Sequence, residues 1–268
     1  MSAILPGWQE LSASERDAAY DNRAAVAEAA ALQARRLARS ARFRAAHPNH
    51  LDVAYGSFPS NRIDLFPAGK DAPWLVFIHG GYWLRNAGAD FASMAEGPRA
   101  HGWSVAIPSY TLAPEARVSS IMAEVGTALD WLAEYRGCGA GRIVVAGWSA
   151  GATMAVLHAN HPSVGRVVAI SGLYDLAPLA DTSMNQQLRL DADEIERLSP
   201  LRQPTPAKPI TLVVGGRELP ALRLSSDAMA AQLGGDVHVV PEADHFSILE
   251  QFWDTESSLC RLAVGATA

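Results

Sequence analysis

An α/β fold, with a mostly parallel sheet covered by helices on both faces, is predicted for this chain by three observations. From residue 74 onward, short apolar runs alternate with helical stretches. Those runs are apolar throughout, rather than at every second position, as strands buried on both faces must be. Within "RIVVAGWSAGATMAVLHAN" (142–160), Ser149 sits between two glycines where a strand-like run gives way to an alanine-rich helical one.

The elements follow in order. Residues 14–46 are rich in Ala, Arg, Leu and Glu and hold neither Gly nor Pro, so they read as one or two helices within an N-terminal extension, 1–46. "LDVAYG" (51–56) and "NRIDLFPA" (61–68), separated by a Pro/Ser/Asn turn, read as an antiparallel hairpin. Strands are then predicted at 74–80, 104–110, 142–147, 166–171, 210–215 and 237–240. Helices are predicted at 86–100, 119–135, 150–160, 220–233 and 247–262. Residues 176–200 replace a short connection with a long one, and an insertion of that kind above a sheet edge suits a lid or pocket wall. With no repeat and no low-complexity tract, residues 1–268 read as a single domain.

Composition narrows the function. Of 268 residues 49% are hydrophobic and 19% charged, which is ample for a packed core. The net charge is −6 and no run of Lys or Arg occurs, which argues against a nucleic-acid partner. Cys138 and Cys260 form neither a disulfide framework nor a metal-ligand spacing, so no metal and no cofactor are expected. The longest apolar runs are far too short to span a bilayer. The first residues lack the basic start and apolar core of a signal peptide. A cytoplasmic protein with a small-molecule substrate and no membrane partner is expected; the sequence is also compatible with a homodimer.

Gly147-Trp148-Ser149-Ala150-Gly151 matches G-x-S-x-G, a sharp strand-to-helix turn that presents a nucleophile at the C-terminal edge of a sheet. A serine nucleophile needs a base, and the base an orienting acid, in the chain order Ser, acid, His. His158 and His161 lie too close behind Ser149 to fold back to it, and His238 falls inside a strand. His245 occupies the loop between the last strand and the last helix, where the base belongs. Glu218, just after the penultimate strand, is the favoured acid; Asp175 and Asp227 are its rivals, while Asp244 adjoins His245 too closely to grip its ring. Upstream, His79-Gly80-Gly81-Tyr82-Trp83 follows a strand. The backbone N–H groups of that glycine loop, with that of Ala150, suit an oxyanion hole, and His79 suits a loop anchor.

"FIHGGYW", "GWSAG", "SGLYDL" and "YDNRAAV" (20–26) together resemble the kynurenine formamidase (arylformamidase) group of α/β-hydrolases. "SYTLAPE" (109–115) is similar to the wider hormone-sensitive-lipase-like esterases. The resemblance runs from about Tyr20 to His245. It implies an α/β-hydrolase fold, with Ser149 as nucleophile, His245 as base and Glu218 as acid. Trp148 departs from the pattern, standing where histidine is expected. The implied activity is hydrolysis of a small-acyl amide or ester, with an aryl formamide such as N-formylkynurenine favoured. A general short-chain carboxylesterase and a non-catalytic ligand-binding homologue are the alternatives. Because the loop glycines stop after two, Tyr82 and Trp83 are expected to wall the acyl side. With Trp148 they would offer faces to an aromatic leaving group.

Overall fold

The computed structural model describes residues 4–136 and 140–265; Cys138 lies outside them, and Cys260 is a free, buried cysteine. Eight strands form one sheet. They are β1 (Val53–Ala54), β2 (Arg62–Phe66), β3 (Trp74–Ile78), β4 (Ser104–Pro108), β5 (Ile143–Trp148), β6 (Val164–Ile170), β7 (Ile210–Gly215) and β8 (Val237–Val240). Their spatial order is β1-β2-β4-β3-β5-β6-β7-β8. The hairpin β1–β2 is antiparallel and joins β4 antiparallel; every pairing from β4 to β8 is parallel. All eight strands lie where the sequence predicts them, although β1 keeps only two residues of the expected 51–56.

Eleven α-helices accompany the strands in the described residues. The N-terminal extension holds three rather than one or two: α1 (Ala13–Ala18), α2 (Asn22–Ala25) and α3 (Ala29–Ala46). Asp21 explains one break, because its carboxylate caps the N–H groups of Arg23 and Ala24 and starts a new helix. The stretch 86–100 divides into a 3₁₀ segment, Gly88–Ala95, and α4 (Glu96–Ala100). Then follow α5 (Val118–Arg136) and α6 (Ala150–Leu157). The insertion folds as α7 (Ala177–Ala180), α8 (Asn185–Leu188) and α9 (Ala192–Leu198). Next come α10 (Pro220–Leu233), a 3₁₀ turn Ser247–Phe252, and α11 (Ser258–Val264). Ser257 caps α11 through the N–H of Cys260, so the predicted helix 247–262 is two pieces.

Two cores cover the sheet, and strand alternation sorts residues between them. Val76, Ile78, Val145 and Val167 face one core with α5, α6 and α10. Leu75, Phe77, Val144, Ala146 and Val168 face the other, which the 3₁₀ segment and the C-terminal elements close. Helix α3 packs along that segment: Ser40 Oγ donates to the carbonyl of Asp90, and Arg39 grips the Glu96 carboxylate with bonds of 2.8 and 2.6 Å.

The topology also says where a site belongs. After β3 the chain steps to one side to form β4, then returns to the other side of β3 to form β5. The crevice at the C-terminal ends of β3 and β5 is a topological switch point, where open α/β sheets bind ligands.

Phe77 is wholly buried between Phe91 and Phe252, at 5.9 and 5.4 Å between ring centroids. Phe77→Ala is therefore expected to cost about 3–5 kcal/mol of stability. The measurement is the urea midpoint at unchanged m-value; a shift worth under about 1 kcal/mol would mean the second core relaxes around the gap.

Candidate active site

The chain leaves β5 at Trp148 and enters α6 at Ala150, so Ser149 alone makes the turn. Its backbone is left-handed, with φ 58° and ψ −124°. Such a conformation costs a non-glycine residue about 1–3 kcal/mol and persists only where its surroundings dictate it. They do so here. The Ser149 N–H donates to the carbonyl of Ile170 at 2.8 Å, and its own carbonyl accepts from Ala152 at 2.8 Å. Flanking glycines let α6 press against the sheet: a Cβ on Gly147 would stand 2.2 Å from the Gly151 carbonyl oxygen, and one on Gly151 2.0 Å from that of Ile78.

Three loops bring three polar side chains into line. His245 Nε2 lies 3.2 Å from Ser149 Oγ, and His245 Nδ1 lies 2.7 Å from Glu218 Oε2. The carboxylate fixes the tautomer: Nδ1–H donates to Glu218, which leaves Nε2 free to accept the Ser149 proton. The other carboxylate oxygen of Glu218 accepts from Ser171 Oγ at 2.5 Å and from the Gly215 N–H at 2.8 Å. Ser149, Glu218 and His245 are all buried, at 1%, 6% and 3% exposure. A hydroxyl, imidazole and carboxylate so connected can pass a proton from Ser149 to His245 while Glu218 steadies the imidazolium.

The rival acids are engaged elsewhere. Asp175 pairs with Arg202 and accepts from the Ala177 N–H, and Asp227 is exposed on α10. Asp244 holds the loop instead, accepting from the N–H groups of Phe246 and Ser247.

The loop after β3 is built around His79. Its Nδ1–H donates to the Gly80 carbonyl at 3.0 Å, which also accepts from Asn86 Nδ2 at 2.9 Å. In a trans peptide the Gly81 N–H points away from that carbonyl. Neither the Gly81 N–H nor the Ala150 N–H donates a hydrogen bond among the described residues. A Cβ at Gly80 would fall 2.7 Å from Ser149 Cβ, so the loop and the serine turn are in direct contact. Tyr110 stacks on His79 at 4.2 Å and donates to its carbonyl. Burial pulls the imidazole down to about 4, helped by the nearby Arg36 guanidinium and opposed by the Gly80 carbonyl.

A cavity of about 320 Å³ opens beside Ser149 and His245. Tyr82 and Trp148 line it; Trp83 does not. Trp83 turns into the core with no exposed surface, so it does not wall this cavity. Trp148 also braces the base, since its Nε1–H donates to the His245 carbonyl at 2.9 Å and its ring lies 4.8 Å from the imidazole.

The sequence missed the far wall. Tyr20, Asn22, Arg23, Gln33 and Arg36 of the N-terminal extension line the cavity, as do Ser183 and Met184 of the insertion. The two excursions touch: Trp8 Nε1 donates to Asp181, and the Ser183 N–H donates to Asp17. Asn22 Nδ2 also donates to Tyr82 Oη, which donates in turn to the Tyr20 carbonyl. The "YDNRAAV" stretch was the available signal for this wall. Among the described residues no group of three or more metal-ligating side chains gathers, and no helix is long and apolar enough to cross a membrane.

Residues 75–240 match the family model of the alpha/beta hydrolase fold, and the chain belongs to that family. The kynurenine formamidase of Danio rerio is 26% identical over 234 residues, covering 79% of this chain and 80% of its own. The kynurenine formamidase of Salmo salar is similar at 26%, over 79% and 80%. A proposed thioesterase from Silicibacter sp. tm1040 superposes with a TM-score of 0.85 at 33% identity, over 93% of this chain and 98% of that one. Esterase LipW of Mycobacterium marinum shares the fold, with a TM-score of 0.70 at 20% identity over 90% and 91%. The chain is a hydrolase.

The buried His79 gives a pH signature. An unfolded chain protonates this histidine near 6.5, whereas the folded protein does so only near 4. Acidification from pH 6.5 toward 4 therefore favours unfolding. The melting temperature should fall across that window, and His79→Gln, which takes up no proton there, should fall less steeply. Equal slopes for the two proteins would remove His79 as a contributor.

Proposed function

We propose that this hydrolase removes a short acyl group from an aryl amine or aryl alcohol through a serine acyl-enzyme, with an N-formyl arylamine such as N-formylkynurenine as the favoured substrate. The observation that carries the proposal is the hydrogen-bonded series Ser149, His245, Glu218 at the edge of a cavity with aromatic walls. The kynurenine formamidase relatives support the choice of a formamide.

The steps use groups already described. Ser149 Oγ attacks the scissile carbonyl as His245 Nε2 takes its proton, and Glu218 stabilises the imidazolium that results. The oxygen that becomes negative is met by the free N–H groups of Gly81 and Ala150, the latter at the N-terminus of α6. Collapse expels the arylamine, which His245 protonates. Water then repeats the sequence to release the short acid and free Ser149.

Ser149→Ala should lower kcat by at least about 10⁴-fold while leaving the melting curve in place. Retained turnover would end the proposal. Glu218→Gln should cost about 10²–10⁴-fold in kcat, and Asp175→Asn far less; the reverse ranking would move the acid to the loop after β6.

Substrate size provides a separate check. Tyr82, Trp148 and Phe246 line the cavity that holds the serine, and each badly placed group in a preformed pocket typically costs about 1–3 kcal/mol. Across p-nitrophenyl acetate, butyrate, hexanoate and octanoate, kcat/KM should fall with chain length. A rise would open the acyl side to long chains. Turnover of the acetate with none of N-formylkynurenine would make the protein a short-chain carboxylesterase instead.

A further inference from the structure

Arg36 is the unexplained residue of the cavity. It rises from the middle of α3 and is 5% exposed, yet its guanidinium makes no hydrogen bond and no ion pair among the described residues. Its Nε is buried without a partner. Its guanidinium lies over the ring of Phe91, 3.9 Å from the centroid, with the charges of Asp90 and Arg23 nearby. Every other buried or half-buried arginine of α3 is answered: Arg39 by Glu96, and Arg44 by Asp64 and Asp52. Asp90, on the neighbouring 3₁₀ segment, gives one carboxylate oxygen to the Ala87 N–H; its charge favours the Arg36 cation, but the two form no hydrogen bond and no ion pair.

A buried charge is costly unless it is paired, and removing one partner of such a pair exposes the whole penalty. Burial draws the Arg36 guanidinium down to about 10, so it stays charged at neutral pH. Arg36 lines the same cavity as Ser149 and His245. Arg85, exposed at the cavity wall, is also without a partner among the described residues, while Arg23 is held by Gln33. The two carboxylates of the wall are already engaged with backbone: Asp17 with the Ser183 N–H, and Asp21 with those of Arg23 and Ala24. A planar, bidentate donor left open toward a cavity matches a carboxylate better than any neutral group.

We propose that Arg36 is a specificity-determining residue, which receives a carboxylate carried on the leaving-group side of the substrate. The assignment rests on the reaction proposed for Ser149, and it deepens it: the preferred substrates are anionic aryl formamides or esters. Arg85 would add longer-range attraction at the entrance. Because Arg36 sits on the extension rather than on the sheet, substrate choice and bond cleavage would be carried by different parts of the chain.

The test compares carboxylated with neutral substrates. With 2-, 3- and 4-formamidobenzoate against formanilide, the best carboxylated isomer should exceed formanilide at least tenfold in kcat/KM, mostly through KM. That preference corresponds to about 1.4 kcal/mol. In Arg36→Met, which keeps the stem over Phe91, the ratio should collapse toward one; in Arg36→Lys it should survive in part. A binding arm needs no turnover. Benzoate should quench the protein's tryptophan fluorescence at a concentration at least tenfold lower than benzamide, and Arg36→Met should equalise the two. If neutral substrates are cleaved as well as carboxylated ones and benzoate binds no better than benzamide, the Arg36 assignment falls and the hydrolase reaction stands. If no formamide or ester is cleaved yet benzoate is preferred, the reaction falls and the carboxylate site stands. If Arg36→Met does not fold, the wild-type ratio and the Arg36→Lys protein decide.

Discussion

The close approach of α6 to the sheet, backbone against backbone at Gly151 and Ile78, is the constraint on which the rest of the site depends. It forces the reversal between β5 and α6 into one residue, and so holds Ser149 at a positive φ. The same turn settles its neighbours. Trp148, as the last residue of β5, must point to the opposite face of the sheet from its flanking positions, and there it meets His245. Its indole packs against the imidazole and ties the His245 carbonyl. One sharp turn therefore presents the hydroxyl and buttresses the ring that faces it.

Around that turn each polar group has its own fixed partners. Glu218 uses one oxygen for His245 and the other for Ser171 and Gly215, so its carboxylate cannot rotate away. His79, though it lies near the serine, is spent on holding the Gly80 carbonyl and is kept neutral by burial. A buried histidine with this low affinity for protons suits a fixed donor better than a proton carrier. The loop it holds is also tied outward, through Tyr82 to Tyr20 and Asn22.

That last link gives the N-terminal extension its place in the structure. Exposed ion pairs such as Arg35–Glu250 contribute about 0–1 kcal/mol each and would not dock a helix by themselves. Burial of Ala29 and Leu32, the bonds from Ser40 to the Asp90 carbonyl and Ser93, and Arg44 on the buried Asp64 hold α3 more firmly. The extension can then present Arg36 to the cavity at a fixed position over Phe91.

Local pattern by itself determined the α/β class, all eight strands, the serine turn and the place of His245 in the loop after the last strand. These are properties of neighbours along the chain: a doubly buried strand must be apolar throughout, and a turn pressed against a helix must use glycine. What depends on contacts between distant segments was decided only by the tertiary structure. Glu218 stood against Asp175 and Asp227 until the fold brought its carboxylate to His245 and sent Asp175 to Arg202. Tyr82 and Trp83 are adjacent and equally aromatic, yet the first reaches the cavity and the second fills the core. Arg36 reads locally as one more charge on an exposed helix. It becomes a buried, unpaired cation only because α3 packs over the 3₁₀ segment, a contact between residues more than fifty positions apart that no local pattern encodes.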